Sequence, residues 1–247
     1  MNLFRYMFGK WVYGYSVPMK VVRSLGLRQG GTLYLVGSGF GETAFMTVRK
    51  VGARVKGFDI HPSLVSLGKK RAEARGLRDK AFFHNISDLF EKDCGDCDAA
   101  MVESVLSFLE DPGGVVSRLV ECLKPLGRLG VVELVWTSQP SENDVIRYKE
   151  LLGVNTSPRT DDEWVEVLSR PGLGFVRKEV VGIGLYRKFW QDLAESPEST
   201  FSNLFKTIQN LLGSGESRAA LRDFRLFYRF FSGRLAAGCY VLEKIAG

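Results

Sequence analysis

Residues 33–41 read Leu-Tyr-Leu-Val-Gly-Ser-Gly-Phe-Gly, and this stretch decides the fold. Its apolar half is typical of a buried strand, and its glycines predict a tight turn into a helix. A second apolar run ends in Asp59, close to the roughly 20 residues after the first glycine that one strand–helix unit requires. Glycines let a ligand approach the backbone, and a carboxylate can accept bonds from both hydroxyls of a ribose. The pairing therefore predicts a parallel α/β sheet that binds a nucleotide-type ligand at its edge.

The spacing of the glycines discriminates between nucleotide-type ligands. Gly37, Gly39 and Gly41 form G-x-G-x-G, whereas a dinucleotide fingerprint would have its last glycine at position 42, which is Glu42. A carboxylate at the start of a helix repels a pyrophosphate and tolerates a cation. The sequence contains no G-x-x-x-x-G-K-[ST], which excludes a P-loop. These patterns favour a nucleoside that carries positive charge, and S-adenosylmethionine, with its sulfonium and ammonium groups, fits them.

Three further segments follow in the order that a known family shows. They read Ala-Phe-Phe-His-Asn-Ile-Ser-Asp-Leu-Phe (81–90), Cys-Asp-Ala-Ala-Met-Val-Glu-Ser-Val-Leu-Ser-Phe-Leu (97–109) and Leu-Lys-Pro-Leu-Gly-Arg-Leu-Gly-Val-Val-Glu (123–133). They resemble the third strand with its adenine-binding turn, the fourth strand, and the fifth strand with its preceding turn in class I S-adenosylmethionine-dependent methyltransferases. With the glycine turn and Asp59, the resemblance covers residues 31–135, and it implies S-adenosylmethionine as the cofactor.

The resemblance also implies which residues bind the cofactor. They are Gly37, Ser38, Gly39, Gly41, Asp59, Ile60, Asn85, Ile86 and Glu103. The glycines would line the methionine end, Asp59 would bind the ribose, and Ile60 would lie against the adenine face. Asn85 and Ile86 would meet the adenine edge. For Glu103 three roles stay open: its carbonyl on the ligand ammonium, its carboxylate on an acceptor amine, or a solvated loop acid.

Two positions depart from the family's pattern. The family usually has an acid two residues before the first glycine, where this chain has Leu35, and an aspartate where this chain has Asn85. The amide of Asn85 can still accept a bond from the adenine amino group and donate one to a ring nitrogen. The apolar residue at position 35 leaves backbone carbonyls near Gly37 and Glu103 to bind the ammonium group. This departure keeps open a non-catalytic protein of the same fold.

We expect one methyltransferase domain over residues 1–247. The resemblance implies a Rossmann-like, seven-stranded, mostly parallel sheet with an antiparallel last strand and helices on both faces. Residues 1–30 would be an aromatic helical lead-in and residues 31–140 the cofactor-binding core. Residues 141–247 would form the C-terminal half, with a helical cap at about 183–234. This layout is similar to that of methyltransferases acting on sarcosine, dimethylglycine and phosphoethanolamine.

Aromatic and basic residues outside the core are candidates for binding the acceptor. The aromatic candidates, which could enclose a cationic acceptor by cation–π contact, are Trp11, Tyr13, Tyr15, Tyr186 and Trp190. The basic candidates, which share one stripe at helical spacing, are Arg218, Arg222, Arg225 and Arg229. The aromatic residues could equally be core, and the stripe could be the solvent face of a helix. An inward-facing stripe would indicate an anionic acceptor.

We expect the chain to transfer a methyl group to a small-molecule acceptor. A sulfonium is already an activated leaving group, so little acid–base work is needed, and no catalytic residue is assigned. His61 and His84 form no catalytic pattern, and the shortage of histidine favours an amine acceptor. The net charge of +6 permits an alternative, a nucleic-acid methyltransferase. Against it, Glu103-Ser-Val-Leu stands where an Asn/Asp-Pro-Pro-aromatic motif would be expected.

The composition indicates the cellular location and argues against a metal site and a membrane span. The four cysteines, Cys94, Cys97, Cys122 and Cys239, are too few for a disulfide framework, which predicts a reducing, cytoplasmic location. The first two form a lone C-x-x-C without a second pair at zinc spacing, so we expect no metal. No run approaches 18 consecutive apolar residues, so we expect no membrane span. The oligomeric state is not indicated.

Overall fold

This computed structural model describes residues 12–91, 97–195, 222 and 225–245. The strands are β1 (Thr32–Val36), β2 (Arg54–Asp59), β3 (Ala81–Asn85), β4 (Cys97–Glu103), β5 (Leu123–Trp136), β6 (Arg159–Thr160), β7 (Leu173–Gly182) and β8 (Leu235–Lys244). The helices are α1 (Ser16–Ser24), α2 (Glu42–Val51), α3 (Pro62–Ala74), α4 (Asp88–Glu91), α5 (Pro112–Cys122), α6 (Glu142–Leu152), α7 (Asp161–Leu168) and α8 (Leu185–Glu195). A 3₁₀ turn follows β4 (Leu106–Phe108), and residues 225–231 are also helical.

The strands form one mixed sheet in the order β3-β2-β1-β4-β5-β8-β7. The pairs among β1 to β5 are parallel, and β8 is antiparallel to both β5 and β7. The predicted Rossmann-like sheet with an antiparallel last strand is therefore confirmed. The two-residue strand β6, which pairs with β5, adds a strand that the sequence did not predict.

The core lies on both faces of the sheet, as an α/β fold requires. On one face, α1, α2 and α3 pack with residues 227–231 against the strands. On the other face, α5 and α7 cover β4 and β5, with Trp164 fully buried between them. Ser141 and Thr160 begin α6 and α7 with capping boxes, since each side chain accepts the third backbone N–H of its helix.

The segment after β7 contacts the lead-in before β1. Asp192 of α8 is buried, and its Oδ1 accepts the backbone N–H groups of Tyr15 at 2.7 Å and Ser16 at 3.1 Å. Tyr228 donates its hydroxyl to the carbonyl oxygen of Val12 at 2.6 Å. The lead-in is therefore held by both parts of the predicted cap that the structure describes. The remainder of that cap, 196–221 and 223–224, lies outside the described residues, and the cap as a whole stays a prediction.

The structure describes three of the four cysteines. Cys122, at the end of α5, is disulfide-bonded, and Cys94 lies outside the described residues. Cys97 and Cys239 are buried free thiols. A single disulfide is not a framework, so these cysteines do not contradict the expectation, and the predicted cytoplasmic location stays a prediction.

Candidate cofactor and acceptor site

The glycine turn after β1 is pressed against the end of β4. Gly37 has φ +77°, and a Cβ there would stand 2.4 Å from the carbonyl oxygen of Glu103. At Gly41, with φ +87°, a Cβ would stand 2.6 Å from Phe83 and 2.8 Å from Phe45. Both positions therefore require glycine for conformation and for space. The turn therefore brings the carboxyl ends of β1 and β4 into contact. The methionine end of the cofactor is predicted to lie at this place.

The backbone of Ser38 is hydrogen-bonded within the glycine turn. Its N–H and that of Gly37 both donate to the carbonyl oxygen of Phe58, at 3.1 and 2.9 Å, and its own carbonyl accepts the N–H of Gly41 at 2.9 Å. Its side chain stands against β2, because a Cβ on Gly57 would lie 2.8 Å from the Cβ of Ser38. The N–H and carbonyl of Ser38 are thus used inside the turn, whereas its buried hydroxyl has no hydrogen-bond partner in the structure. The role of Ser38 as a cofactor ligand stays a prediction.

Asp59, at the end of β2, anchors the glycine turn. Its Oδ2 accepts the N–H of Gly39 at 2.8 Å, and its Oδ1 accepts the N–H of His61 at 3.0 Å. The carboxylate is buried, and each oxygen keeps a further lone pair for a ligand hydroxyl. Asp59 thus fits the predicted ribose site and also organises the turn that lines the methionine end.

The predicted adenine residues meet at the neighbouring strand ends. Asn85 of β3 is in register with Asp59 of β2, and Ile86 donates its N–H to the carbonyl oxygen of Asp59 at 3.0 Å. The side chain of Ile60 is 42% exposed beside them, which suits a surface on which a flat ring could stack. The Oδ1 of Asn85 accepts the N–H of Ser87 at 3.1 Å, so its amide NH₂ is the group better placed to serve a ligand.

A buried polar cluster lies at the carboxyl end of β4. Glu103 is buried there, and Ser104 follows with φ +52°, a left-handed conformation that is unusual for a residue with a side chain. The hydroxyl of Tyr13, from the lead-in, is in hydrogen-bond contact with the hydroxyl of Ser104. Burial raises the pKa of Tyr13 well above its usual value, and the charge of Glu103 raises it further. The hydroxyl of Tyr13 therefore stays protonated, and either hydroxyl of the pair could donate to the other.

Glu133 of β5 holds the loop that carries this cluster. Its Oε1 accepts the N–H groups of Val105 and Leu106, both at 2.7 Å, and its Oε2 accepts the hydroxyl of Ser107 at 3.0 Å. Burial raises the pKa of Glu133 to about 7, although these bonds oppose the shift. Sequence reasoning missed this role. The signal was a carboxylate within an otherwise apolar strand, but nothing in the sequence indicates which loop it meets.

The predicted acceptor aromatics are only partly brought together. Tyr13 is buried in the cluster, whereas Tyr15 is partly buried and gives its N–H to Asp192. Trp190 is 52% exposed. Trp11 and the side chain of Tyr186 lie outside the described residues.

The basic stripe corrects a prediction. Arg222, Arg225 and Arg229 are all exposed, while Phe227, Tyr228 and Phe231 cover the buried face of the same segment. The stripe is thus the solvent face of an amphipathic segment, and Arg222 does not belong to the acceptor site. Arg218 lies outside the described residues.

Glu42 also departs from its expected role. It forms ion pairs with Arg71 and with Arg75, the latter at 3.1 Å. Burial alone would raise the pKa of Glu42, but the bonds and charges of the two arginines lower it below its usual value. Since these cations compensate the carboxylate, it does not select for the charge of the ligand. The argument from Glu42 to a cationic nucleoside was therefore wrong, although the glycine spacing still differs from a dinucleotide fingerprint.

Residues 34–131 match the profile of a family described as a methyltransferase domain. This match agrees with the predicted resemblance to class I S-adenosylmethionine-dependent methyltransferases. A curated relative, the methyltransferase GfsG of Streptomyces halstedii, is 25% identical over 124 residues, which is 49% of this chain and 44% of that protein. The chain thus spans less than half the length of this relative.

Solved structures share the fold of this chain at low sequence identity. A putative sarcosine dimethylglycine methyltransferase from Galdieria sulphuraria is 16% identical with a TM-score of 0.71, covering 92% of this chain and 84% of that one. Phosphoethanolamine N-methyltransferase 2 of Haemonchus contortus is 13% identical with a TM-score of 0.73, covering 100% and 58%. The [4+2]-cyclase SpnF is 21% identical with a TM-score of 0.68, covering 93% and 81%.

Two further expectations concern metals and membranes. In the part of the chain that the structure describes, no three His, Cys, Asp or Glu side chains come together as metal ligands. No helix over the same residues is long and apolar enough to cross a bilayer.

Proposed function

We propose that the chain transfers a methyl group from S-adenosylmethionine to a small-molecule acceptor, with an amine as the favoured class. The cofactor would lie across the ends of β1, β2 and β3. Its methionine part would rest on Gly37 and Gly39, its ribose on Asp59, and its adenine against Ile60 and Asn85. The backbone oxygen of Glu103 is a fitting acceptor for the ligand ammonium, because Leu35 supplies no carboxylate and is buried in the core.

One observation carries this proposal. The turn at Gly37 touches the end of β4, and Tyr13 of the lead-in reaches Ser104, the residue directly after β4. A methyl donor on the turn and an acceptor under the lead-in would therefore meet at the same strand end. In open α/β sheets, ligands bind at this carboxyl edge.

The chain's own residues would mainly align the methyl donor with the acceptor. The bound cofactor supplies a methyl group on an activated sulfonium. Positioning of two reactants can contribute about 7–11 kcal/mol to lowering a barrier. Tyr13 would orient the acceptor as a hydrogen-bond donor, and burial under α1 and α8 would exclude water. Desolvation favours the neutral form of an amine, which is the nucleophilic form.

The preference for an amine rests on charge and on the relatives. Glu103 is buried beside Ser104 at the proposed acceptor position, and a buried carboxyl group favours a partner that carries positive charge before it reacts. Two of the proteins that share the fold are described by amine substrates, sarcosine or dimethylglycine in one and phosphomonomethylethanolamine in the other.

A second candidate is a protein that keeps the fold without methylating. The structure named as a [4+2]-cyclase has this fold, and Leu35 departs from the usual pattern of the methyltransferases. A nucleic-acid acceptor receives less support, because Tyr13 contacts the residue after β4 and Asp192 holds the start of α1 beside it, so a large substrate would have to displace them.

The test separates cofactor binding from catalysis. Calorimetry should give a dissociation constant for S-adenosylhomocysteine near 1 μM, about −8 kcal/mol, and much weaker binding of NAD. Transfer of label from methyl-labelled S-adenosylmethionine is then measured with separate pools of amines, alcohols and RNA. Label in the amine pool supports the proposal. Label in RNA alone, or cofactor binding without transfer to any pool, contradicts it, and tighter binding of NAD would contradict the cofactor itself.

A further inference from the structure

The segment 12–16, which carries Tyr13, leads into a helix that does not cap its own start. Helix α1 begins at Ser16, its N-cap Tyr15 makes no side-chain capping bond, and its first turn holds no acidic residue. Gly14 has φ +74°, so the chain turns sharply directly after Tyr13. The first N–H groups of a helix need partners, which a local side chain usually provides. The position of this segment is therefore fixed from elsewhere in the fold.

Asp192 of α8 provides these partners from a distant part of the sequence. Its buried carboxylate accepts the N–H groups of Tyr15 at 2.7 Å and Ser16 at 3.1 Å. The fit is close, because a Cβ on Gly14 would stand 2.3 Å from the Oδ2 of Asp192. Hydrogen bonds to an ionised acceptor are stronger than those between neutral groups, and a buried carboxylate needs them to offset its lost hydration. Two strong bonds thus hold the chain directly after Tyr13.

Tyr228 holds the chain directly before Tyr13. Its hydroxyl donates to the carbonyl oxygen of Val12 at 2.6 Å. Burial raises the pKa of Tyr228, and the charge of Asp192 raises it further, so this hydroxyl stays protonated and able to donate. Together, Asp192 and Tyr228 form a brace on either side of Tyr13. Both residues come from the chain after β7, whereas the hydroxyl that they enclose meets Ser104 after β4.

Helix α8 has a second attachment that does not involve the segment 12–16. Glu195, at the end of α8, forms ion pairs with Arg23 of α1 at 2.5 Å and with Lys50 of α2 at 2.6 Å. Burial alone would raise the pKa of Glu195, but its bonds to the two cations lower it below its usual value. Because this ion-pair cluster already ties α8 to its neighbours, the bonds of Asp192 act on the segment that carries Tyr13.

We propose that Asp192 and Tyr228 are positioning residues for methyl transfer, which hold the segment 12–16 so that the hydroxyl of Tyr13 stays at Ser104. This inference rests on the proposed function. The brace acts on the acceptor through Tyr13 and not by direct contact. A misplacement of about 1 Å can cost about a hundredfold in rate, even when its cause lies far from the reacting atoms. The orientation of the acceptor therefore depends on α8 and on residues 225–231 being packed in place.

The experiment is a double-mutant cycle between the brace and Tyr13. Its readout is the transfer of label from methyl-labelled S-adenosylmethionine to a fixed pool of primary and secondary amines. We expect Asp192→Ala to lower kcat about tenfold or more, with the KM for S-adenosylmethionine within about twofold. In a protein that already carries Tyr13→Phe, the same substitution should lower kcat by less than about twofold, because Asp192 acts through that hydroxyl. Asp192→Asn should keep kcat within about threefold of the unmodified protein, since its amide oxygen still accepts both N–H groups.

The matched control is Glu195→Gln on the same helix. It removes the ion pairs with Arg23 and Lys50 but no bond to the segment 12–16, so kcat should stay within about twofold. Thermal melting and binding of S-adenosylhomocysteine show whether each variant is folded. If Asp192→Ala does not fold, Tyr228→Phe decides, because it removes one hydroxyl and should show the same dependence on Tyr13.

The outcomes separate this inference from the proposed function. If the brace variants lower kcat equally with and without the hydroxyl of Tyr13, the inference is overturned, because the brace would then act on the fold as a whole. Unchanged kcat in both brace variants also overturns it and leaves the proposed function intact. If the unmodified protein transfers no label to the amines, the proposed function is contradicted, and the positioning role falls with it.

Discussion

Replacing Glu133 by glutamine should remove a pH dependence of stability that the structure builds into β5. The carboxyl group is fully buried and accepts bonds from Val105, Leu106 and Ser107. Glutamine keeps this geometry, because its amide oxygen can accept the two N–H groups and its NH₂ can donate to the serine hydroxyl. The substitution Glu133→Gln therefore removes the titration while preserving the shape of the loop.

The magnitude follows from the displacement of the pKa. Burial raises the pKa of Glu133 from its ordinary 4.5 to about 7 in the folded protein. Each unit of difference corresponds to about 1.4 kcal/mol, so the full effect is about 3 kcal/mol. Between these two values the folded state binds more protons than the unfolded state. The stabilisation is complete below pH 4.5 and is lost as the pH rises through 7.

The assay is urea unfolding at several pH values between 4.5 and 8.5. The free energy of unfolding of Glu133→Gln minus that of the unmodified protein should rise by about 3 kcal/mol across this interval. The control is Glu73→Gln, because that side chain is 70% exposed and its removal should not produce such a difference. A difference that stays constant with pH would refute the account of Glu133, since the other groups cancel in the comparison.

Three more predictions concern the site. Asp59→Ala should weaken binding of S-adenosylhomocysteine by about 1.5–3 kcal/mol in calorimetry, and unchanged affinity in a folded variant would contradict the ribose assignment. Gly37→Ala should lower the free energy of unfolding by more than about 1 kcal/mol in urea, because its Cβ would stand 2.4 Å from the carbonyl oxygen of Glu103. The control Gly182→Ala, at an open and exposed position, should leave the free energy of unfolding unchanged within about 1 kcal/mol. Tyr13→Phe should reduce methyl transfer tenfold or more while leaving cofactor affinity within about twofold; equal activity would exclude Tyr13 from the acceptor site.

The sequence predicted the elements around the cofactor because local rules determine them. Helix α2 follows the glycine turn as the sequence predicted, and Gly41 and Gly52 take left-handed conformations at its two ends. Helix α7 begins at the capping box of Thr160, which is readable from four consecutive residues. Asp59 ends β2 as the sequence predicted, at the edge where the carboxyl ends of the parallel strands meet. These inferences required no knowledge of long-range packing.

The acceptor side could not be predicted in the same way, because contacts between distant segments form it. An amphipathic segment has two faces, and only its packing shows that Phe227 and Phe231 are buried while Arg222 is exposed. The ion pairs of Glu42 come from arginines on the following helix, about 30 residues away along the chain. Spacing within one element cannot show which face of the amphipathic segment is buried, or which arginines pair with Glu42.

Asp192 shows how far the proposed acceptor site depends on such contacts. Its carboxylate accepts the N–H groups of Tyr15 and Ser16 at the start of α1, and a Cβ on Gly14 would overlap it. A helix start leaves backbone N–H groups without intrahelical partners, and a side chain usually satisfies them locally. Here the partner is Asp192 of α8, which follows β7 along the chain. The same bonds fix the chain only two residues after Tyr13, whose hydroxyl meets Ser104. The position of the proposed acceptor-orienting hydroxyl is therefore set jointly by the lead-in, by α8 and by the loop that Glu133 holds.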